Sequence, residues 1–279
     1  MAGNGDRVTV FAHRGFRGIA PENTMLAAAK GYEAGADAWE LDVAASADGE
    51  LVVLHDDSLA RTTDAARVFP DRAPWTVYDF SFAELSRLDA GSWYARSDPF
   101  GQIAAGRVKP EDLASFRGLR IPTLRQALEF TAARSWRVNV EIKDASGQAC
   151  DAWIVERVVE LIRSLDLVES VLLSSFNHAY ISRATSTEPA LRTGALVEQA
   201  VADPVKLLER TGADSYNPGL EVLTEEAVRA LRDAGKDVFV WTVNETRDME
   251  RILSWGVNGI FTDFPDRLLT LLRRQIDKH

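Results

Sequence analysis

The most constraining feature of this sequence is the regular alternation of short β-rich runs with helical segments along most of its 279 residues. Strands that recur in this way, separated by helical segments of about 10–15 residues, are typical of βαβ units and a parallel sheet. Eight such strands close naturally into a (β/α)₈ TIM barrel, a fold of about 250 residues. We therefore predict a TIM barrel with strands at residues 8–12, 38–43, 138–142, 171–174, 192–196, 214–217, 238–242 and 259–262. Among the helical patterns between them, one spans residues 151–164.

The alternation is interrupted between residues 59 and 122. Residues 64–74 are rich in turn formers, residues 82–88 have a helical pattern, and residues 91–118 mix aromatic and polar side chains. Loops this long within a compact domain usually carry function or contain structure of their own. We predict one domain over residues 1–279, with segment 59–122 as a small insertion after the second strand. An independent second domain is the less favoured alternative, because the segment lacks a sufficient hydrophobic period.

Composition restricts the partners and the cellular environment. The formal net charge of −10 argues against a nucleic-acid partner, because binding nucleic-acid phosphates requires a basic face. The single cysteine, Cys150, cannot form an internal disulfide. The amino terminus has no basic segment followed by an apolar run, and no apolar stretch approaches the about 20 residues of a membrane helix. We expect a cytoplasmic protein without stable membrane insertion.

His13, Arg14 and Gly15 directly follow the first predicted strand. Histidine suits proton transfer, because its ordinary pKa lies near neutrality. Arginine offers a planar fork for phosphate or carboxylate, and glycine permits a sharp turn. Since a lone histidine is more often structural, this motif alone leaves both interpretations open.

Glu40 and Asp42 lie two residues apart in the second predicted strand and therefore face the same way. On an inner barrel strand both carboxylates would point inward, where charges persist only when they are paired or bound to metal. Oxygen ligands of this kind suit Mg²⁺ or Ca²⁺. The alternative is an edge strand with both acids in solvent, but the neighbouring Leu41 and Val43 favour burial.

Glu141 and Lys143 repeat this spacing at the carboxyl end of the third predicted strand. Catalytic groups of TIM barrels gather at the carboxyl ends of different strands. A third carboxylate with a cation beside it is what a metal–phosphate site needs. A simple Glu–Lys surface pair would have the same sequence pattern.

His55 ends an apolar run at residues 51–54. Asp48-Gly49, just before this run, is a strong signal for a hairpin turn. We predict a two-stranded excursion that returns His55 toward the acids of the second strand. His178, at a predicted helix start, receives no role.

In chain order, these segments resemble the glycerophosphodiester phosphodiesterase family. The resemblance extends from about residue 8 to residue 270, and the order and spacing of the motifs make it specific. The motifs that carry it are His-Arg-Gly at 13–15, Pro-Glu-Asn-Thr at 21–24, Glu40-x-Asp42, His55-Asp56, Arg-Thr-Thr at 61–63, Ile-Pro-Thr-Leu at 121–124, Glu141-x-Lys143, Ser-Ser-Phe at 174–176, Trp-Thr-Val-Asn at 241–244 and Gly-Ile-Phe-Thr-Asp-Phe-Pro at 259–265.

The resemblance implies a (β/α)₈ barrel with a small insertion after the second strand. It implies hydrolysis of a small-molecule glycerophosphodiester to sn-glycerol 3-phosphate and an alcohol. It also implies one divalent cation, Mg²⁺ or Ca²⁺, bound by Glu40, Asp42 and Glu141. Residues 91–118 follow no fixed family sequence, so the resemblance does not specify the alcohol.

The resemblance further implies individual roles around the substrate. His13 and His55 would form the general acid/base pair. Arg14 and Lys143 would hold the phosphate, and Trp241 would line the pocket. Such a site would let a protein with a net charge of −10 bind an anion, because a bound cation converts inward-facing acids into a site that attracts phosphate.

Two other functions remain alternatives. A phospholipase D-like lyase of the same broad superfamily would act on lysophospholipids or sphingomyelin and leave a cyclic phosphate. Such proteins are usually exported and contain disulfides, which fits poorly with one cysteine. A non-catalytic barrel that binds phosphorylated ligands would lack at least one of the two histidines or three carboxylates, and all five are present.

Overall fold

The computed structural model describes residues 7–276, and within this range nine strands form one sheet. Eight of them are parallel neighbours, and pairing of the first with both the second and the last closes the sheet into a barrel. The predicted TIM barrel is therefore confirmed. The strands are β1 (Thr9–Ala12), β2 (Ala38–Ala45), β3 (Leu51–Val53), β4 (Arg137–Ile142), β5 (Val171–Ser175), β6 (Arg192–Val197), β7 (Ser215–Pro218), β8 (Asp237–Val240) and β9 (Gly259–Thr262).

Helices lie between the parallel strands, and none in the described range is long and apolar enough to cross a bilayer. Four short helices, α2 to α5, lie in the segment predicted as an insertion. The helices are α1 (Met25–Glu33), α2 (Ala65–Val68), α3 (Phe82–Leu85), α4 (Ser92–Ser97), α5 (Pro110–Phe116), α6 (Leu124–Ala132), α7 (Ile154–Ser164), α8 (His178–Thr187), α9 (Pro204–Thr211), α10 (Glu225–Asp233), α11 (Thr246–Ser254) and α12 (Pro265–Ile276).

Local sequence accounts for where the helices begin and end. The Thr24 hydroxyl accepts a hydrogen bond from the third residue of α1, and Thr123 forms a capping box with Gln126 at the start of α6. Gly212 ends α9 with a φ of +77°, a conformation that glycine adopts without strain. The helix expected from residue 151 begins at Ile154 instead, because residues 149–152 form a 3₁₀ turn.

Strand β2 shows how the two layers of core are built. Trp39, Leu41 and Val43 point outward and belong to the large hydrophobic cluster between strands and helices. Alternate residues point into the barrel, whose interior is filled by side chains from several strands. Phe11 stacks on Phe261 with ring centroids 4.3 Å apart. Together with Phe239 these two rings form what we call the aromatic floor, because Phe261 also lines the cavity at the barrel mouth.

The excursion after β2 is a hairpin, as Asp48-Gly49 predicted. Strand β3 pairs with β2 in antiparallel register, with Val53 opposite Val43. β2 runs two residues beyond its predicted end because Ala44 and Ala45 take part in this pairing. The segment that follows packs a separate hydrophobic cluster against the hairpin. The helix expected at residues 82–88 is shorter than predicted, because only Phe82–Leu85 (α3) is helical.

Candidate active site

Three carboxylates converge at the carboxyl end of the barrel, on the neighbouring strands β2 and β4. In the parallel register Asp42 lies opposite Glu141, and Glu40 lies on the same face of β2 as Asp42. Carboxylate oxygens of the three residues lie within 4.8 Å of one another, and all three residues are buried. The structure therefore unites the three acids that the sequence singled out.

Buried carboxylates this close together require positive charge among them. Glu40 Oε1 and Asp42 Oδ1 have no hydrogen-bond partner in the described part of the chain. The other oxygen of each is fixed: the Arg14 backbone N–H donates to Glu40 Oε2 at 2.7 Å, and Asn23 Nδ2 donates to Asp42 Oδ2 at 2.8 Å. Fixed carboxylates with free oxygens, and Glu141 beside them, form a donor set that fits a hard divalent cation.

The pKa values of the three acids reflect the same crowding. Burial raises the pKa of Glu40, and the nearby charges of Asp42 and Glu141 raise it further. Burial and the charge of Asp42 also raise the pKa of Glu141. Burial acts on Asp42 in the same direction, but the charges of Arg14 and Lys143 outweigh it and hold the pKa of Asp42 below its ordinary value. Without a cation, Asp42 is therefore the most readily ionised of the three.

Arg14 and Lys143 supply fixed positive charge beside these acids. Lys143 directly follows β4, and its Nζ lies 2.6 Å from Glu141 Oε1 and 3.5 Å from Asp42 Oδ1. Arg14 lies just beyond β1, with Nε 3.2 Å from Asp42 Oδ2. Burial lowers the pKa of Lys143, but the charges of Asp42 and Glu141 outweigh it and raise that pKa above its ordinary value. The ammonium therefore stays charged, as binding an anion requires.

His13, directly after β1, is held by a carboxylate. Its Nδ1 lies 2.7 Å from Asp263 Oδ1, and its Nε2 lies 3.9 Å from Glu40 Oε2. Burial and the charge of Arg14 lower the pKa of His13 to about 4, so the ring is neutral near pH 7. Burial raises the pKa of Asp263, but its interaction with His13 outweighs that effect, and the carboxyl stays ionised. An ionised carboxylate at Nδ1 requires the ring proton there, which leaves the Nε2 lone pair available.

His55, two residues beyond β3, has the same arrangement. Its Nδ1 lies 2.6 Å from Asp56 Oδ1, and its side chain is 31% exposed. Arg61 Nε donates in turn to Asp56 Oδ2 at 2.5 Å. Burial raises the pKa of Asp56, but the hydrogen bonds with His55 and Arg61 outweigh it and hold that pKa below its ordinary value. Two histidines from separate segments thus each present a ring oriented by an aspartate.

A cavity of about 240 Å³ opens at this end of the barrel and brings the predicted site together. His13, Arg14, Glu40, His55, Glu141, Lys143 and Trp241 line it, and the fully buried Asp42 lies directly behind. Residues following β5 and β8 form another part of the wall: the rings of Phe176 and Trp241 meet edge to face, 5.4 Å apart. The cavity therefore combines charged and aromatic side chains, which suits a phosphate joined to organic groups.

Several charged residues behind the site received no role from the sequence. Asp56 and Asp263 hold the two histidine rings, and Glu22 binds both Arg17 and Arg61 nearby. The available signal was position, since Asp56 adjoins His55 and Asp263 directly follows a barrel strand. Asp263 and Glu22 have partners in distant parts of the chain, His13 and Arg61, so spacing alone could not identify those contacts.

Comparisons with known proteins agree with this geometry. A model of the glycerophosphoryl diester phosphodiesterase family matches residues 13–267. A glycerophosphodiester phosphodiesterase of Caldanaerobacter subterraneus subsp. tengcongensis is 35% identical over 268 residues, covering 96% of this chain and 99% of the relative. One of Bacillus altitudinis is 33% identical over 266 residues, covering 94% and 97%. A solved structure of an Oleispira antarctica phosphodiesterase in complex with the product sn-glycerol-3-phosphate has a TM-score of 0.80 at 27% identity, covering 95% of this chain and 96% of that one. The chain therefore belongs to the glycerophosphoryl diester phosphodiesterase family of enzymes.

Proposed function

We propose that the protein hydrolyses glycerophosphodiesters to sn-glycerol 3-phosphate and an alcohol. The observation that carries this proposal is the cavity at the barrel mouth, which joins buried carboxylates, fixed cations and two aspartate-bound histidines. The named relatives, and the Oleispira antarctica enzyme with its bound product, support cleavage of this class of phosphodiester. The charged and aromatic side chains of the cavity match an anion that carries organic groups.

The proposed cofactor is one divalent cation, Mg²⁺ or Ca²⁺, held by Glu40, Asp42 and Glu141. The unpartnered oxygens of Glu40 and Asp42 support this ligand set. When bound, the cation supplies positive charge that stabilises the phosphate oxygens in the transition state. Asn23 keeps the Asp42 carboxylate oriented, since its side-chain amide occupies the other oxygen.

Arg14 and Lys143 are proposed to bind the phosphate, and Trp241 to line the pocket beside it. Hydrogen bonds from charged donors to phosphate oxygens are short and strong, and they fix the phosphorus relative to the attacking group. The Trp241 indole is held in place by donation from Nε1 to the Asn217 carbonyl at 2.8 Å. This aromatic surface suits the carbon skeleton of the substrate.

His13 and His55 are proposed as the acid/base pair, each acting at Nε2. One ring removes the proton of the attacking hydroxyl as that oxygen bonds to phosphorus, and the other protonates the departing alcohol oxygen as its bond to phosphorus breaks. The proposed attacking group is the glycerol 2-hydroxyl, which gives a cyclic phosphate. Water then opens the ring, with one histidine taking the water proton and the other protonating the 2-oxygen.

A coupled assay for glycerol 3-phosphate tests the function. Glycerophosphocholine, -ethanolamine, -glycerol and -inositol are supplied with Mg²⁺ or Ca²⁺, and parallel samples contain excess chelator. We expect release with cation and its loss on chelation. Phosphorus NMR of the products distinguishes glycerol 3-phosphate from a terminal cyclic phosphate, which would indicate the lyase. Full activity after exhaustive chelation would remove the cation from the proposal.

Histidine variants test the acid/base assignment. His13→Ala and His55→Ala should each reduce kcat at least about 10²-fold, the usual contribution of a proton-transfer group. His178→Ala is the matched control, because His178 does not line the cavity and its ring makes one hydrogen bond among the described residues, with the Leu196 carbonyl. Near-wild-type turnover in both active-site variants would contradict the assignment.

We also propose that residues 1–279 form one domain with 59–122 as its insertion. The insertion shares its hydrophobic cluster with Ala44 of β2 and Val52 of β3, which supports a common folding unit. Urea unfolding followed by far-UV circular dichroism and by tryptophan fluorescence should give coincident transitions. Two well-separated transitions would favour two domains.

A further inference from the structure

Glu22 belongs to the Pro-Glu-Asn-Thr segment, and the proposed chemistry leaves it without a role. Its side chain is 3% exposed and does not line the cavity at the barrel mouth. Arg61 binds it with both ends of its guanidinium, with Nη2 donating to Oε1 at 2.7 Å and Nη1 to Oε2 at 3.0 Å. Arg14 Nη1 also donates to Oε1 at 2.7 Å, and Arg17 Nη2 lies 3.2 Å from Oε2. One buried carboxylate therefore holds three arginines.

Two of these arginines continue to the aspartates behind the histidines. Arg61 donates to both oxygens of Asp56, from Nε at 2.5 Å and from Nη2 at 2.9 Å. Arg17 Nε lies 3.6 Å from Asp263 Oδ1. Glu22 is thus the point at which the supports of both catalytic rings meet.

The two rings need a common support because they come from different parts of the fold. His13 directly follows the barrel strand β1, whereas His55 follows the hairpin strand β3, which is not a strand of the closed barrel. No ladder of backbone hydrogen bonds joins β1 to β3. Proton transfer requires both rings at hydrogen-bond distance from reacting atoms of one substrate. β2 pairs with both strands and so connects their backbones, whereas the ion pairs through Glu22 connect the side chains that hold the two rings.

The charge state of Glu22 suits this connection. Burial raises the pKa of Glu22, but the Arg61 hydrogen bonds and the charges of Arg14 and Arg17 outweigh it and hold that pKa below its ordinary range. The carboxylate is therefore ionised at neutral pH. A neutral amide in its place would bind fewer guanidinium donors and would leave the arginine charges uncompensated.

We propose that Glu22 is a positioning residue that sets the orientation of His13 and His55 through Arg17–Asp263 and Arg61–Asp56. This inference rests on the proposed function, since it concerns the two rings assigned to proton transfer. It also accounts for the Pro-Glu-Asn-Thr and Arg-Thr-Thr motifs as two halves of one ion-pair network.

Kinetics of Glu22→Gln give the first test. A displacement of a reacting group by about 1 Å costs about 10²-fold in rate, so we expect kcat for glycerophosphocholine to fall about 10–100-fold with little change in KM. Combined with His55→Ala, the same substitution should cost less than it does alone, because only its effect through His13 remains. The proposal would be overturned if Glu22→Gln reduced kcat by the same factor in the His55→Ala background as in the wild type. It would also be overturned if Glu22→Gln alone had the kcat of wild type.

Arg61→Lys and Arg61→Gln separate geometry from charge and avoid the fully buried residue, since the Arg61 side chain is 42% exposed. Lysine keeps the charge but cannot bind Glu22 and Asp56 through one rigid fork. We therefore expect Arg61→Lys to lose nearly as much kcat as Arg61→Gln. Wild-type kcat in Arg61→Lys would show that charge alone matters and would contradict positioning. Glu156→Gln is the matched control, because it breaks the Glu156–Arg183 pair between α7 and α8.

A chemical readout keeps the inference testable without turnover. Diethylpyrocarbonate modifies histidine rings, and mass spectrometry of peptides measures the extent at each residue. Relative to His178, modification of His55 should increase at least about threefold in Glu22→Gln, because the ring is freed from its fixed orientation. It should not change in Glu156→Gln. An unchanged His55 ratio in Glu22→Gln would refute the positioning role, whereas absence of glycerol 3-phosphate release from the wild type would refute the proposed function alone.

Discussion

Replacing Lys143 with methionine is expected to change turnover and cation affinity in opposite directions. The Lys143 side chain is 17% exposed, with Nζ 2.6 Å from Glu141 Oε1 and 3.5 Å from Asp42 Oδ1. In the proposed site this ammonium binds the phosphate in the transition state. Loss of one preorganised donor in a buried site reduces kcat about 10²–10³-fold. Methionine retains much of the apolar stem but carries no charge.

The same ammonium repels a cation held by the neighbouring carboxylates. A cation bound to Asp42 Oδ1 at the usual distance of about 2.0–2.6 Å lies at most about 6 Å from Nζ. At that separation the repulsion between a unit charge and a divalent charge is about 1.4 kcal/mol even at the dielectric constant of water. Its removal should therefore tighten binding of Mg²⁺ or Ca²⁺ at least about tenfold.

Two measurements check this reasoning: kcat from glycerol 3-phosphate release at saturating cation, and the cation dissociation constant from calorimetric titration of chelator-stripped protein. Lys206→Met is the matched control, because Lys206 is 80% exposed and pairs with Asp203 at the surface. The reasoning is refuted if Lys143→Met keeps a kcat within about threefold of wild type, or if it binds the cation more weakly than wild type does.

Three further outcomes are expected. Gly15→Ala should lower Tm by about 5 °C or more, because the φ of Gly15 is +78° and a Cβ at this position would lie 2.4 Å from the Ala27 carbonyl carbon. A Tm equal to that of wild type in calorimetry would contradict the clash. Burial raises the pKa of Asp89, but hydrogen bonds from Ser92 and from backbone N–H groups outweigh it and lower that pKa to about 2. The ionised Asp89 therefore stabilises the folded protein fully above the ordinary pKa of 3.8, and this stabilisation is lost as pH falls toward 2. Asp89→Asn should therefore reduce the dependence of Tm on pH between 4 and 2, and an unchanged slope would count against this origin. Trp241→Ala should lower kcat/KM about 10-fold or more through loss of aromatic contact with substrate, and steady-state kinetics with an unchanged ratio would remove Trp241 from the pocket wall.

The fold was predictable because its signals are local. The period of two along β2 placed Glu40 and Asp42 on the face opposite Leu41, and strand–helix alternation indicated the barrel. Element ends were less predictable, because they depend on pairing and on local turns. β2 is longer than expected owing to its hairpin with β3, and α7 begins three residues late because a 3₁₀ turn precedes it.

The site residues that lie at or near strand ends were predictable from the sequence. The residues that hold the histidine rings from behind were less predictable. Of the eight site residues predicted from the sequence, seven line one cavity and Asp42 is buried behind it. Asp56 adjoins His55 in the sequence, but the other contacts that support the histidines are remote. His13 and Asp263 lie 250 residues apart, and Arg61 and Glu22 lie 39 apart. Only closure of the barrel and folding of the excursion determine such neighbours.

The aromatic floor has a kinetic consequence. Because Phe11, Phe239 and Phe261 fill the barrel beneath the acids, substrate and both products must pass through the same opening. In the proposed reaction Arg14 and Lys143 hold the phosphate at the closed end of the cavity. Once the bond between phosphorus and the alcohol oxygen has broken, the alcohol carries no phosphate for these residues to hold. The alcohol therefore leaves first and glycerol 3-phosphate last. Glycerol 3-phosphate should accordingly inhibit competitively against the phosphodiester, whereas added alcohol should not compete with it.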